Sequence, residues 1–258
     1  MGILMQKIIQ RLLPKSIKKE LITYGKEKAF AGNNVSCPCC NKNYITFLPA
    51  GVKKRPNAIC PGCHSFERHR LLWMYLTNKT NLFKDKIKVL HVAPEPLFFK
   101  KFKSYSNIDY VPCAKFGEGY EDAYPTGTID IDITDIKLED NTFDVILCSH
   151  VLEHIPDDIK AMSELRRVLK ESGWAILQVP LDTSREHTYE DFSIISPEDR
   201  EKAFGQRDHV RLYGKDYAER LEKAGFKVKK DKYVDTFTEN EIFKYGFIKE
   251  DIYFCTKK

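Results

Sequence analysis

The sequence contains no apolar run that approaches the roughly 18 residues required to span a membrane. Its N-terminus lacks the apolar core and the small-residue cleavage site that define a secretory signal peptide. Gln6 occupies the position at which an N-myristoylation signal requires serine or threonine. These absences argue against membrane insertion and secretion, and we expect a cytoplasmic protein.

A basic surplus is absent from most of the chain. The 42 lysines and arginines exceed the 37 acidic residues by five. Residues 1–35 hold seven of the basic and two of the acidic residues, so the remaining 35 basic and 35 acidic residues balance. Because a nucleic-acid backbone is held by clustered positive charge, nucleic acid is a disfavoured partner for the main body of the protein.

The surplus lies in an N-terminal arm, residues 1–34, whose pattern predicts two short basic helices separated at Pro14. The first helix carries apolar residues on one face, namely Leu4, Met5, Ile8, Ile9 and Leu12. Such a stripe suits either a helix that packs on the protein body or an interfacial helix on an anionic membrane. Packing on the body is favoured, and peripheral contact with the inner membrane face through residues 1–30 is the alternative.

Cysteine is concentrated in one short segment, since five of the eight cysteines lie between Cys37 and Cys63. Cys37 and Cys40 form one C-x-x-C pair, and Cys60 and Cys63 form a second. Two such pairs at this spacing predict a zinc ribbon at residues 35–65, in which four thiolates bind a structural zinc ion. A thiol–disulfide pair and unrelated core cysteines are the alternatives, although disulfides rarely persist in the cytosol.

The remaining sequence alternates between strand and helix patterns, which predicts an α/β domain at residues 87–258 after a linking helix within residues 66–86. Short apolar or alternating runs predict seven strands, at residues 87–93, 108–114, 128–134, 143–150, 174–180, 226–234 and 251–257. A long polar stretch, residues 181–213, separates the fifth and sixth strands. Because it is too long for a plain connection, we expect it to form a lid over the substrate.

Residues 143–180 are the most informative segment and read FDVILCSHVLEHIPDDIKAMSELRRVLKESGWAILQVP. An apolar strand, an amphipathic helix that we expect to end at Ser172-Gly173, and a second apolar strand form a parallel βαβ unit. Ligands of such sheets bind beyond the carboxyl ends of the strands, which here are Cys148-Ser149-His150 and Gln178-Val179-Pro180. We therefore expect the chemistry at this edge of the sheet.

This segment resembles the fourth-strand to fifth-strand region of class I S-adenosylmethionine-dependent methyltransferases of the type 11 group. The stretches VLHVAPEP and GQRDHVRLYG, together with the ribbon, are similar to a bacterial subgroup of these enzymes. The resemblance implies a Rossmann-like, seven-stranded, mostly parallel sheet whose last two strands pair as a hairpin. It also implies S-adenosylmethionine as the cofactor.

By the same resemblance, Asp132 accepts a hydrogen bond from the adenine amino group and Ile133 packs on the ring. The glycine-rich loop that normally follows the first strand is missing, and Glu95 can supply an acceptor for the cofactor ammonium instead. The ribose-binding acid after the second strand is also missing, and Glu118 or Glu121 can replace it. The expected cofactor-binding residues are Ala93, Pro94, Glu95, Asp132, Ile133, Cys148, Ser149 and His150.

The methyl acceptor is expected near the lid, where His154, Asp208 and His209 are the predicted catalytic residues. A histidine with an ordinary pKa of about 6.5 can take a proton from an acceptor hydroxyl at neutral pH. Structural hydrogen bonding and ordering of the lid are the alternative roles of these histidines. We expect methylation of an oxygen in a small molecule or in a glycan or lipid-linked sugar. Methylation of RNA or protein docked on the ribbon, and nucleotide binding without catalysis, are the alternatives.

Overall fold

The computed structural model describes residues 14–51, 54–117 and 124–257. The predicted helix that precedes Pro14 and the two candidate ribose-binding acids, Glu118 and Glu121, lie outside these ranges. Among the described residues, no helix is both long enough and apolar enough to cross a membrane.

The helices of the described residues are α1 (Lys15–Ala29), α2 (Glu67–Lys79), α3 (Pro96–Phe102), α4 (Asp158–Val168), α5 (Pro197–Phe204), α6 (Tyr217–Lys223) and α7 (Glu239–Tyr245). The strands are β1 (Ala31–Cys37), β2 (Lys42–Tyr44), β3 (Leu48–Ala50), β4 (Arg55–Ile59), β5 (Ile87–Val92), β6 (Ile108–Ala114), β7 (Ile129–Asp130), β8 (Phe143–Ser149), β9 (Leu169–Gln178), β10 (Tyr189–Glu190), β11 (Arg211–Leu212), β12 (Phe226–Asp231) and β13 (Ile252–Lys257). Short 3-10 helices span Leu152–His154 and Tyr233–Thr236.

The chain forms two compact units. Unit 1 comprises Met1–Lys79 and Tyr233–Glu250, and unit 2 comprises Thr80–Lys232 and Asp251–Lys258. This division differs from the predicted one, in which residues 233–250 belonged to the main domain. Each unit is therefore built from two separate stretches of the chain.

Unit 1 contains two antiparallel hairpins, β1–β2 and β3–β4, followed by α2. Arg70 of α2 is fully buried and explains why a distant segment joins this unit. Its guanidinium donates hydrogen bonds to the carbonyls of Ala58 and Ser65 and to those of Tyr245 and Gly246. A buried guanidinium is stable only when its donors are satisfied, so these carbonyls hold the segment after α7 in place.

Unit 2 is built on a seven-stranded sheet with the strand order β12-β13-β9-β8-β5-β6-β7. Strands β5 to β9 run parallel, and β13 pairs antiparallel with both β9 and β12. This arrangement is the predicted Rossmann-like, mostly parallel, seven-stranded sheet with a terminal hairpin. The central strands β5 and β8 are nearly all buried, as continuous apolar runs predict for a sheet covered on both faces.

Several predicted boundaries are wrong, and two of them have a clear physical reason. The third strand was expected over residues 128–134, but β7 is only Ile129–Asp130 because the chain turns at Asp132, whose carboxylate accepts from the amide of Thr134. The helix of the βαβ unit was expected to end at Ser172-Gly173, but α4 ends at Val168 and β9 follows directly. Gly173 instead lies within β9, where a Cβ atom would come within 2.8 Å of a backbone oxygen of β8.

The predicted lid, residues 181–213, is a folded segment rather than an open loop. It contains α5 and a short antiparallel pair in which Glu190 of β10 lies opposite Arg211 of β11. Arg211 is fully buried and donates hydrogen bonds to the carbonyls of Leu152, Ile155 and Pro156. The end of the lid is therefore fixed to the turn that follows β8.

Candidate functional site

The residues predicted to bind the cofactor lie at the carboxyl edge of the parallel strands. Ala93 follows β5 and His150 follows β8, and these two strands are neighbours in the sheet. Both residues have left-handed backbones, with φ values of 48° and 56°. Ala93 donates its amide to Cys113 of β6, and His150 donates its amide to Gln178 of β9. Ala93 thus adopts the conformation that glycine usually supplies, which is uncommon and costly for a residue with a side chain.

A buried hydrogen-bonded chain orients the loop after β5. His91 is 2% exposed, and its two ring nitrogens lie 2.9 Å from the Tyr110 hydroxyl and 3.0 Å from a carboxylate oxygen of Glu95. Burial, with the negative charge of Glu95 as a lesser cause, raises the pKa of Tyr110, so its hydroxyl stays protonated. The Glu95 carboxylate is consequently held beside the loop at the sheet edge rather than directed freely into solvent.

Asp132 lies two residues after the end of β7. Its Oδ1 accepts from the amide and hydroxyl of Thr134, and its Oδ2 lies 3.2 Å from the Lys115 ammonium. Partial burial would raise the pKa of Asp132, but these contacts outweigh it and hold the pKa below its ordinary value. Ile133 is only 3% exposed and belongs to the core cluster, so little of its surface remains for an adenine ring.

The predicted catalytic residues come together around a buried acid, Glu153. Its Oε1 lies 4.0 Å from Nε2 of His154 and 4.0 Å from Nε2 of His209. The two imidazole rings are perpendicular, with centroids 4.7 Å apart. Asp208 places a carboxylate oxygen 3.3 Å from Nδ1 of His154. His150 also approaches Glu153, at 3.5 Å.

The two histidines differ in exposure. His154 retains 30% of its side-chain surface, whereas His209 is 3% exposed. Burial lowers the pKa of His209, and the negative charges of Glu153 and Asp208 offset only part of that effect. His209 is therefore favoured as a neutral imidazole. Its proposed role as a base stays a prediction.

Other polar residues of the lid lie apart from this cluster. Arg207 is exposed and pairs with Glu198, and His187 is exposed. The sequence does not reveal that Glu153, the centre of the cluster, lies beside His209. An acidic residue between the apolar Leu152 and His154 was the available signal, but its partner is 56 positions away and only the fold identifies it.

The four cysteines predicted to bind zinc also lie together, in unit 1. Their sulfur atoms are all within 4.8 Å of one another, with 3.5 Å between Cys37 and Cys63 and 3.7 Å between Cys40 and Cys60. Tetrahedral zinc with bonds of about 2.3 Å requires sulfur atoms about 3.8 Å apart, so the set fits the ion. The thiol of Cys39 points elsewhere and donates to the carbonyl of His69 at 3.8 Å.

Comparisons with known proteins find similar sequences and similar solved structures. Residues 98–177 match the family model described as a methyltransferase domain. An uncharacterized protein of Methanocaldococcus jannaschii is 32% identical over 141 residues, which cover 43% of this chain and 62% of that protein. A probable methyltransferase of Aspergillus luteorubrus is 42% identical over 53 residues, 19% of this chain and 18% of its own length.

Among solved structures, an S-adenosylmethionine-dependent methyltransferase from Archaeoglobus fulgidus aligns with a TM-score of 0.48 at 17% identity. The alignment covers 73% of this chain and 93% of that chain. The chain spans 62% of the length of the Methanocaldococcus jannaschii protein and 18% of the length of the Aspergillus luteorubrus protein, which is less than two thirds of either.

Proposed function

We propose that this protein, whose residues 98–177 match a methyltransferase domain, transfers a methyl group from S-adenosylmethionine to an oxygen atom. The observation that carries the proposal is the reversal of strand order at β5. From β5 the chain adds β6 and β7 on one side, then crosses to add β8 and β9 on the other. Ligands of open parallel sheets bind in the crevice at such a point, beyond the carboxyl ends of the strands.

The side chains at this edge suit a cationic nucleoside ligand. When bound, S-adenosylmethionine supplies an electrophilic methyl group on a sulfonium sulfur. Glu95, held by His91, offers a carboxylate for the cofactor's ammonium group. Asp132 stays ionised and offers an acceptor for the adenine amino group, although both of its oxygens already have protein partners. The backbones of Ala93 and of Cys148 to His150 complete the expected binding residues.

An oxygen acceptor in a small molecule or a glycan or lipid-linked sugar is supported by two features. The chain beyond residue 35 has balanced charge and thus no surplus for a nucleic-acid backbone. The residues beside the sheet edge are histidines and carboxylates, which suit binding and deprotonation of a hydroxyl. RNA or protein acceptors remain the alternative, with the ribbon as the docking module.

We also propose that Cys37, Cys40, Cys60 and Cys63 hold a structural zinc ion. Four cysteine ligands close the coordination shell and leave no position for a substrate. The hydroxyl of Ser65 lies 3.3 Å from the sulfurs of both Cys37 and Cys63, which suits an outer hydrogen bond to metal-bound thiolates. In this position the ion ties the turn after β1 to the turn after β4.

The test of the proposed activity is calorimetric titration of the full-length protein with S-adenosylmethionine. We expect saturable binding with one cofactor per chain. Incubation of the enzyme with isotope-labelled methyl donor and a metabolite extract should then give a labelled product, from which the acceptor class is read. Absence of cofactor binding by the folded wild-type protein would overturn the methyltransferase proposal.

A further inference from the structure

The Glu153, His154 and His209 cluster has the geometry of a metal-binding site. The ligand atoms that these three residues offer all lie within 4.8 Å of one another. Both histidine Nε2 atoms are 4.0 Å from the same oxygen of Glu153. A tetrahedral site with bonds of about 2.1 Å needs ligand atoms about 3.4 Å apart. Each of the two Glu153–histidine distances would therefore shorten by about 0.6 Å when an ion binds, and no pair of ligand atoms would need to close by more than about 1.4 Å.

The cluster also contains buried polar atoms without hydrogen-bond partners. Glu153 is 1% exposed, and its Oε2 has no partner among the described residues. His209 is 3% exposed, and neither of its ring nitrogens makes a hydrogen bond of normal geometry within that part of the chain, although the ring also interacts with the backbone of Phe204. A buried carboxylate is tolerated in proteins when it is paired with a cation or coordinates a metal. The ion pairs of Glu153 in the described structure are to histidines alone, at 3.5 Å or more.

We propose that Glu153, His154 and His209 bind a divalent first-row transition-metal ion. Two imidazole nitrogens and one carboxylate oxygen form a ligand set that suits zinc, manganese, iron or cobalt. Magnesium and calcium are disfavoured because they select oxygen ligands. This site lies in unit 2 and is separate from the four-cysteine cluster of unit 1.

The surroundings of the cluster support this assignment. A carboxylate oxygen of Asp208 lies 3.3 Å from Nδ1 of His154, on the opposite side of the ring from Nε2, which faces Glu153. Carboxylate–histidine pairs of this kind orient metal ligands. Arg211 binds the carbonyls of Leu152, Ile155 and Pro156 and therefore fixes the turn that carries Glu153 and His154. The backbone amide of Val210 donates to the carbonyl of Glu153, so the two halves of the site are joined directly.

Three protein ligands leave the ion at least one open position, as in catalytic rather than structural metal sites. A role for that position rests on the proposed methyl transfer. A hydroxyl oxygen of the acceptor would bind there and lose its proton to solvent base. The oxygen would then form a bond to the methyl carbon while the carbon–sulfur bond breaks and its electron pair stays on sulfur. The acceptor would therefore be a molecule whose reacting oxygen can bind a metal ion.

The test measures metal binding without any methyl donor. Full-length wild-type, His209→Ala, Glu153→Gln and His187→Ala proteins are saturated with zinc, passed through gel filtration and assayed for zinc content. We expect wild type and His187→Ala to hold one more equivalent per chain than the other two, since the cysteine cluster is the same in all four. His187 is the matched control because it is an exposed histidine of the same lid.

The same proteins are titrated with Mn²⁺ and followed by electron paramagnetic resonance, because manganese has little preference for thiolates. His209→Ala and Glu153→Gln should each weaken Mn²⁺ binding at least tenfold. Asp208→Asn should weaken it by about 10–100-fold, the range for outer-shell carboxylates. Circular dichroism checks folding; if His209→Ala does not fold, the isosteric Glu153→Gln variant decides.

Equal zinc content and equal Mn²⁺ affinity in folded wild type and Glu153→Gln would overturn the metal site. This result is distinguishable from failure of the proposed function. If the metal binds and S-adenosylmethionine does not, the metal site is supported and the methyltransferase proposal is overturned. If the cofactor binds and no second metal does, the methyltransferase proposal is supported and the metal site is overturned.

Discussion

At the scale of single residues, Asp132 offers the most direct test of the cofactor site. Its carboxylate is kept ionised by Thr134 and Lys115 before any ligand binds. Asp132→Ala should weaken S-adenosylmethionine binding by about 1–3 kcal/mol, the usual loss when a hydrogen bond to a charged group is removed. Calorimetry compares it with Asp135→Ala, a nearby exposed acid that pairs with Lys137. Equal affinities in the two variants would remove Asp132 from the site.

His209 should matter for turnover rather than for cofactor affinity. It belongs to the cluster around Glu153, which includes none of the residues assigned to adenine and ammonium binding. The variant removes either a proton acceptor or a ligand of the proposed metal ion, and both would help to deprotonate the acceptor hydroxyl. His209→Ala should therefore reduce turnover by about 10²–10⁴-fold, the range for loss of general acid–base help. The measurement is the rate with the acceptor found by labelled-methyl profiling, with His187→Ala as control. Normal turnover would shift the role to His154, and loss of cofactor binding would make His209 a structural residue.

The ribbon gives a prediction at the scale of an element. Cys60→Ser removes one of the four clustered sulfurs, so the purified variant should lose the zinc ion that we propose for unit 1. Cys39→Ser is the matched control because Cys39 is equally buried in the same element but donates to the carbonyl of His69. Both variants also carry His209→Ala, which should remove the second proposed metal site. Elemental analysis then counts zinc at the cysteine cluster alone. Equal zinc content in the two would show that the ligand assignment is wrong.

The attachment of the lid depends on Arg211, whose buried guanidinium satisfies three carbonyls and pairs with Glu190. Arg211→Met should destabilise the protein by about 3–5 kcal/mol, as loss of one partner of a buried ion pair does. Arg207→Met is the control, because that exposed arginine makes a surface pair with Glu198 that is worth about 0–1 kcal/mol. Urea unfolding measures both. Similar midpoints for the two variants would mean that the lid is not held by Arg211.

Elements with a strong periodic signal were predictable from the sequence. The strand at residues 108–114 matches β6 in full, and β5 and β8 each differ from prediction by one residue, because continuous apolar runs define buried strands. β7 was overestimated since an alternating pattern does not reveal that Asp132 turns the chain. The position of residues 233–250 could not be predicted, because it depends on Arg70, which is about 175 residues away in sequence.

The candidate site divides in the same way. The C-x-x-C pairs are close in sequence, so their cluster could be predicted from spacing alone. The left-handed backbone of Ala93 could not be predicted, because the sequence has no glycine there to indicate it. The proximity of Glu153 to His209 could not be predicted either, because it arises from the fold of the lid. Sequence patterns report local conformation, whereas contacts between distant segments depend on the whole fold.

At the scale of the whole molecule, the two units should unfold separately. The Cys37, Cys40, Cys60 and Cys63 cluster lies in unit 1, and the candidate cofactor-binding residues lie in unit 2. A ligand that binds only a folded unit stabilises it, by about 2.7 kcal/mol at a hundred times its dissociation constant. S-adenosylmethionine should therefore raise the melting temperature of unit 2 alone, and Cys60→Ser should lower the melting temperature of unit 1 alone. Differential scanning calorimetry measures both effects, with S-adenosylmethionine added to wild type and to the variant. If the cofactor and the substitution instead shift the temperature of one shared transition, the two units unfold as a single cooperative body. Loss of the metal proposed for the cysteine cluster would then also weaken cofactor binding.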